Sequence, residues 1–456
     1  MSKIITYDAP ENAPLSKDYE ILVNESKIPV YGSESRYGSD VSFASFDFEG
    51  TAEITVNINF GAYCINSFEI LPKNLEIVPE RINDFSCKFT IDRPQKLTIL
   101  VNGDYTGRVL HLFANAPETD IPDKTNPNVI YFEKGYHVIE GENSELTLKS
   151  NQTLYIEGGA FVIGRVTAKN AENIKIRGRG ILAYTHEQPM PNICFELIEC
   201  KNIDVSGIII NRRHGNWTGL FRSCCDIHVH DLKIVSTAIW STDGLNLSNC
   251  QNALYEDSFI RAGDDCISIK GLENGGPYAS DMQQAVKNSR PNENITVKNM
   301  IFWSDNNNAV VVGEETVARH YDNITFDNCD VLFCRDEEKI KAAIAVICMH
   351  GTLIQNITFK NFRVGPCGQL IAVFFADSLF GIPGSLLYSP GTMKNILIQN
   401  VTAYGAGSKY VRIEGLNDRN FIENIKLKDI TVRGKKLSHN SDNLKTNDYI
   451  QSLEIV

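Results

Sequence analysis

The sequence predicts an all-β protein, a right-handed parallel β-helix preceded by an N-terminal β-sandwich. Three observations carry this expectation. A short strand-length motif recurs from residue 173 to residue 427, the texture of the chain changes near residue 125, and amphipathic helical periodicity is almost absent.

Residues 1–125 come first. Apolar and polar positions alternate in short runs: Tyr19-Glu20-Ile21-Leu22-Val23, Ala52-Glu53-Ile54-Thr55-Val56-Asn57-Ile58, Cys87-Lys88-Phe89-Thr90-Ile91 and Lys96-Leu97-Thr98-Ile99-Leu100-Val101. Gly, Asn, Asp and Pro punctuate between them. Alternation with period two places every second side chain on one face, and frequent turns return the chain, so the expectation is an antiparallel sandwich. The Pro- and Asp-rich stretch Ala116-Pro117-Glu118-Thr119-Asp120-Ile121-Pro122-Asp123 reads as a linker. It divides the chain into a sandwich domain, 1–125, and a β-helix domain, 126–456.

Beyond the linker the motif is Asn or Asp, then Ile, then a polar or long side chain, then an aliphatic or aromatic residue. It begins at Asn173, Asn202, Asp226, Asn294, Asn323, Asn356, Asn395 and Asn424, with spacings of 29, 24, 68, 29, 33, 39 and 29. The long gap hides a weaker copy at Asn252-Ala253-Leu254-Tyr255 and an insertion around 271–291. One copy is too short to bury its own core, so successive copies stack as the coils of a solenoid. Asn at a fixed place in each coil suits a turn or an inward amide ladder. Such a core is filled with Val, Ile, Phe and Cys, which leaves function to an outer groove.

Composition excludes other classes. Asp plus Glu is 56 against 44 Lys plus Arg, a net charge of −12, which argues against nucleic acid or an anionic membrane as partner. No apolar run reaches the ~18 residues of a membrane span. The start MSKIITYDAP carries no apolar leader, so the expected location is cytoplasmic. Twelve cysteines without a CxxC pair read as buried, reduced thiols, Cys266, Cys329 and Cys348 among them. No metal and no cofactor are expected.

The chemistry concentrates in residues 240–270. Asp243 precedes the pair Asp264–Asp265 by 21 residues, close to one coil, so all three carboxylates fall on adjacent turns. Gly244 and Gly263 allow the bends this needs. Mutual repulsion keeps a proton on such a cluster, and an acid beside ionised carboxylates is what glycoside hydrolysis requires. Oxygen ligands for a divalent cation are the other use of three carboxylates.

These residues resemble the polygalacturonase-like clan, glycoside hydrolase families 28 and 49, which share the pectin-lyase-like right-handed β-helix and an inverting mechanism. Ser241-Thr242-Asp243 and Asp264-Asp265-Cys266 match the Asn-Thr-Asp and Asp-Asp elements of family 28 with Ser in place of Asn. The resemblance implies that Asp264 is the general acid and that Asp243 and Asp265 orient and deprotonate the attacking water. Asn308, in the run Asn306–Gly313, stands where family 28 has the His of Gly-His-Gly, and no arginine lies between residues 336 and 362 for an Arg-Ile-Lys element. A preceding sandwich and the run Asn128–His137 look more like family 49, the dextranases and isopullulanases, which implies a neutral α-glucan.

Further substrate-binding candidates are Lys270, which follows the aspartate pair, Trp240 and Trp303 as aromatic platforms, His214, and Glu314 beside Glu315. His320 is a weaker candidate, and Trp217 reads as structural. The expected function is an inverting, cofactor-free glycoside hydrolase of a poly- or oligosaccharide, first a neutral α-glucan and second a galacturonide. A polysaccharide lyase and a non-catalytic carbohydrate-binding β-helix are the readings from other classes.

Overall fold

The recurring motif forms strands, and its isoleucine points inward. The computed structural model describes residues 2–60, 64–184, 193–212, 216–237, 241–335, 341–379 and 381–456. Among these, one interior file runs Ile174, Ile203, Ile227, Ala253, Ile295, Ile324, Ile357, Ile396 and Ile425, each paired in parallel register with the next. The weaker copy at Ala253 is therefore a full coil. The insertion after it carries a short helix, Met282–Asn288, capped by the Asp281 carboxylate, which accepts from the Gln284 N–H.

The motif asparagines bend each strand just ahead of its inward residue. Asn173, Asn202, Asn294, Asn323 and Asn424 hold φ between 52° and 57° in the left-handed region, which Asn tolerates better than most residues. Their amides stack on the outside, Asn202 Nδ2 donating to Asn173 Oδ1 at 2.6 Å and Asn424 Nδ2 to Asn395 Oδ1 at 2.8 Å. The inward version of the ladder is corrected, because the neighbouring isoleucines fill the interior.

The coils build two long parallel sheets, one of twenty strands and one of eleven among the described residues. Between them lies a continuous apolar core that includes Cys266, Cys329 and Cys348. The twelve cysteines are thiols, ten of them buried.

Two further sheets precede the solenoid, of six and five strands among the described residues. They face each other across Phe46, Ile54, Val56, Phe89, Leu97 and Leu112. Most pairings are antiparallel, as alternation with tight turns requires. Asp40–Glu49 and Leu110–Asn115 pair in parallel, because the chain crosses repeatedly between the two sheets before returning.

The sandwich lies on the outer face of the twenty-strand sheet. Tyr31, Phe43, Leu100 and Phe113 pack against Phe161, Val235, Phe259 and Trp303. Trp303 is fully buried there, with Tyr105 stacked at 5.7 Å and Phe333 at 5.2 Å. Its expected role as a sugar platform is corrected: the ring is an anchor between the two parts of the chain. Arg261 lies over it at 4.7 Å and makes a two-pronged pair with Asp305, at 3.1 and 2.9 Å, both side chains out of solvent. This docking leaves the eleven-strand sheet uncovered by the sandwich.

Candidate active site

The eleven-strand sheet carries the aspartates. The turn before each of its strands repeats along the solenoid: the N–H of Gly244 donates to the carbonyl of Asp265, and that of Cys266 to the carbonyl of Asn308. Asp243, Asp265 and Asn308 therefore occupy equivalent places in three successive coils. Each aspartate is steadied three residues on, Asp243 by the Asn246 amide at 3.1 Å and Asp265 by the Ser268 hydroxyl at 2.9 Å. Asn246 and Ser268 are themselves register partners on the outer face of the sheet.

Asn308 is buried, and both its backbone N–H and its side-chain amide donate to Asp265 Oδ1, at 3.0 and 2.8 Å. Its own Oδ1 accepts from the Ala342 N–H at 2.9 Å. The expected sugar contact is corrected, since this amide is consumed in holding Asp265.

Asp264 differs from its neighbours. Asp243 and Asp265 are each 3% exposed, whereas Asp264 is half-buried. Its carboxylate accepts from the N–H of Ser241 at 2.7 Å, from the N–H of Asp265 at 3.0 Å, and from the Asn307 amide. Four fixed donors or backbone anchors thus hold the turn: Ser304 also donates to the Asp264 carbonyl at 3.0 Å.

Lys270 lies beneath the cluster. Its ammonium is 2.8 Å from Glu315, 3.8 Å from Asp243 and 4.0 Å from Asp265, and it sits 5.0 Å from the ring centre of Trp217. Burial works against its charge, but Glu315, Asp243 and Asp265 together raise its pKa above the usual lysine value. Lys270 is 4% exposed, so the expected hydrogen bond to a sugar hydroxyl is corrected: it is the internal counter-charge of the aspartates. Glu314 likewise serves the site indirectly, paired with Lys341.

Burial, then the charges of Asp264 and Asp265, push the Asp243 carboxyl well above the usual aspartate range, with Lys270 opposing. Asp265 is raised for the same reasons, burial first, then Asp264, opposed by Lys270 and Lys341. Five carboxylates, Asp243, Asp264, Asp265, Glu314 and Glu315, thus meet two ammonium groups, Lys270 and Lys341. A carboxylate with a raised pKa is a better base, and one held protonated is an acid near neutral pH. Such a cluster is built for proton transfer in both directions.

Sequence reasoning missed Lys341. Lys341 follows Asp336-Glu337-Glu338-Lys339-Ile340, a polar run with no strand periodicity to orient it. Trp217 immediately precedes Thr218, whose N–H donates to the Asp243 carbonyl, so it lies on the coil next to that aspartate. His214 and Trp240 lie outside the described residues. His320 pairs with Glu293 at 3.0 Å on the twenty-strand sheet, away from the aspartates.

With this geometry in view, the comparisons with known proteins are specific. The model of glycosyl hydrolases family 28 matches residues 133–450, more than half of the chain and all of the aspartate turns. The chain belongs to glycosyl hydrolases family 28. It is thus a glycoside hydrolase by family. The polygalacturonase QRT2 of Arabidopsis thaliana is 31% identical over 126 residues, 24% of this family 28 chain and 28% of the plant protein's length. Two solved structures share the fold. Dex49A from Penicillium minioluteum has a TM-score of 0.67 at 15% identity, over 99% of this chain and 96% of that one. The exopolygalacturonase of Thermotoga maritima has a TM-score of 0.55 at 18% identity, over 72% of this chain and 83% of that one. The alignment with Dex49A over nearly the whole length includes the N-terminal sandwich.

Proposed function

We propose that this glycoside hydrolase works by a single displacement with inversion, and that the sugar it binds beside the aspartates is neutral. Asp264, the most exposed of the three, donates its proton to the glycosidic oxygen as the C–O bond breaks. A water held by Asp243 and Asp265 attacks the anomeric carbon from the opposite face and gives up its proton to one of them. The products are a free leaving-group hydroxyl and an inverted hemiacetal. The observation that supports these roles is the meeting, on two adjacent coils, of two buried, base-strengthened carboxylates with one more accessible carboxyl.

The neutral substrate rests on the outer face of the eleven-strand sheet. Past Ser268 the outward file continues as Val311, Ala345 and Ala372, with Ile347 and Phe374 beside it, a buried apolar patch that carries no charge. Recognition of a uronate calls for a cationic fork. Among the described residues here, Lys270 is committed to Glu315, Lys341 to Glu314, and Arg412 to Glu414. A neutral α-glucan or related oligosaccharide suits a site whose nearby cations are already paired. Family 28 membership and the similarity to a polygalacturonase favour a second reading, hydrolysis of galacturonides.

A panel of dextran, pullulan oligosaccharides, polygalacturonate and aryl glycosides separates the two. Turnover of a neutral glycan at least ten times faster than of polygalacturonate supports the first reading, and the reverse ratio establishes the second. Proton NMR of fresh product tests inversion on whichever glycan is cleaved; a retained anomeric configuration contradicts the mechanism.

A further inference from the structure

On the twenty-strand sheet, away from the aspartates, two histidines and a carboxylate converge. His228 and His230 lie two residues apart on the strand Cys225–His230 and project from the same face, with their rings stacked at 4.5 Å. Asp204, on the strand Lys201–Ser206 of the preceding coil, is the register partner of His228. One oxygen of Asp204, Oδ2, lies 3.6 Å from His228 Nδ1 and 3.6 Å from His230 Nε2. The three donor atoms all fall within 4.8 Å of one another. A late first-row ion in tetrahedral coordination, with bonds of about 2.0–2.1 Å, holds its ligands roughly 3.3 Å apart, so a small inward movement closes the site.

The surroundings orient these donors. His228 Nε2 is 2.8 Å from Glu256 Oε1, and a carboxylate only accepts, so Nε2 carries the proton. In the neutral ring Nδ1 then turns its lone pair toward Asp204, whose oxygen also carries lone pairs. That lone pair and the Asp204 oxygen are placed to take one cation between them. Glu256 is itself fixed by Lys298 at 2.9 Å, and the far oxygen of Asp204 is 3.6 Å from Arg177. A carboxylate behind a metal-binding imidazole is the arrangement that sets ring tautomer and orientation in such sites.

We propose that Asp204, His228 and His230 bind one Zn²⁺-class divalent transition ion, with Glu256 as the positioning residue behind His228. Two imidazoles and a carboxylate suit zinc. The ion ties one coil to the next on the face of the solenoid that the reaction does not use. The cysteine spacing gave no hint of it, because the ligands come from a histidine pair and a neighbouring coil.

The test is isothermal titration of tag-free, chelator-stripped full-length protein with ZnCl₂. The expected result is saturable uptake of one equivalent with a Kd of about 10 µM or tighter, and a higher Tm in the loaded protein. His228→Ala and His230→Ala should each weaken uptake at least tenfold. Glu256→Gln keeps all three ligands and should weaken it roughly 10- to 100-fold, a change that a merely structural glutamate would not produce. Absence of saturable uptake, or uptake unaltered in the protein carrying both histidine substitutions, overturns the proposal.

Discussion

Asp243 is held in a place where its charge is opposed by burial and by Asp264 and Asp265, and where Lys270 at 3.8 Å offsets only part of that. Its folded pKa lies above the ordinary aspartate value. The folded state therefore retains a proton that the unfolded chain releases, and stability falls as pH rises through that window. Asparagine cannot ionise, so Asp243→Asn should be more stable than the natural protein at pH 8, by roughly 1–3 °C in Tm, and no more stable near pH 3.5. Calorimetric scans at the two pH values check this, and activity should fall in the same variant. At this scale the aspartates were legible, because spacing by one coil aligns them. Lys270 and Asn308 were found by position but misread in role. Sequence gives their place on the sheet, while only the folded chain shows that Glu315 and Asp265 consume their hydrogen-bonding groups.

At the scale of the strand, inside and outside obey different rules. Interior positions must stack on the same position of the next coil, so Leu247, Ile269, Val312, Val346 and Val373 form an apolar file. Outward positions carry the site and vary coil by coil, from Asn246 to Ser268 to Val311. This is why the repeat is visible in the motif strands of the twenty-strand sheet and faint in the eleven-strand sheet, whose outward residues change from coil to coil. Ile269 lies fully buried under the aspartate turn, between Ser268 and Lys270. Ile269→Ala should cost about 2–5 kcal/mol through lost burial and the cavity left behind. Denaturant unfolding measures the loss, and a change below about 1 kcal/mol would show that the file closes up around the gap.

For the whole molecule the decisive contact is between sandwich and solenoid. No period in the sequence says which outer face a preceding domain covers, and Trp303, one of three tryptophans, was therefore read as a sugar platform. Its burial against Tyr105 and Phe333 assigns it to the junction, where Arg261 and Asp305 pair out of solvent and the Tyr37 hydroxyl donates to the Asp305 carbonyl at 2.8 Å. His111 meets Arg261 there as well, and burial, with the adjacent guanidinium, keeps its pKa well below the usual histidine value. Arg261→Met leaves Asp305 charged and unpaired, and should destabilise the protein by about 3–5 kcal/mol. A fall in Tm, with faster proteolysis between the two parts, is the expected readout.

The junction sets the sandwich on one sheet and leaves the other free to present Asp243, Asp264 and Asp265. The account's central claim is that this turn performs the hydrolysis, with Asp264 as acid. The most direct test is kcat of Asp264→Asn on the best substrate of the glycan panel, with circular dichroism and Tm to confirm folding. A loss of at least ~100-fold in a folded protein is predicted. A folded variant that turns over within a few-fold of the natural chain would contradict it.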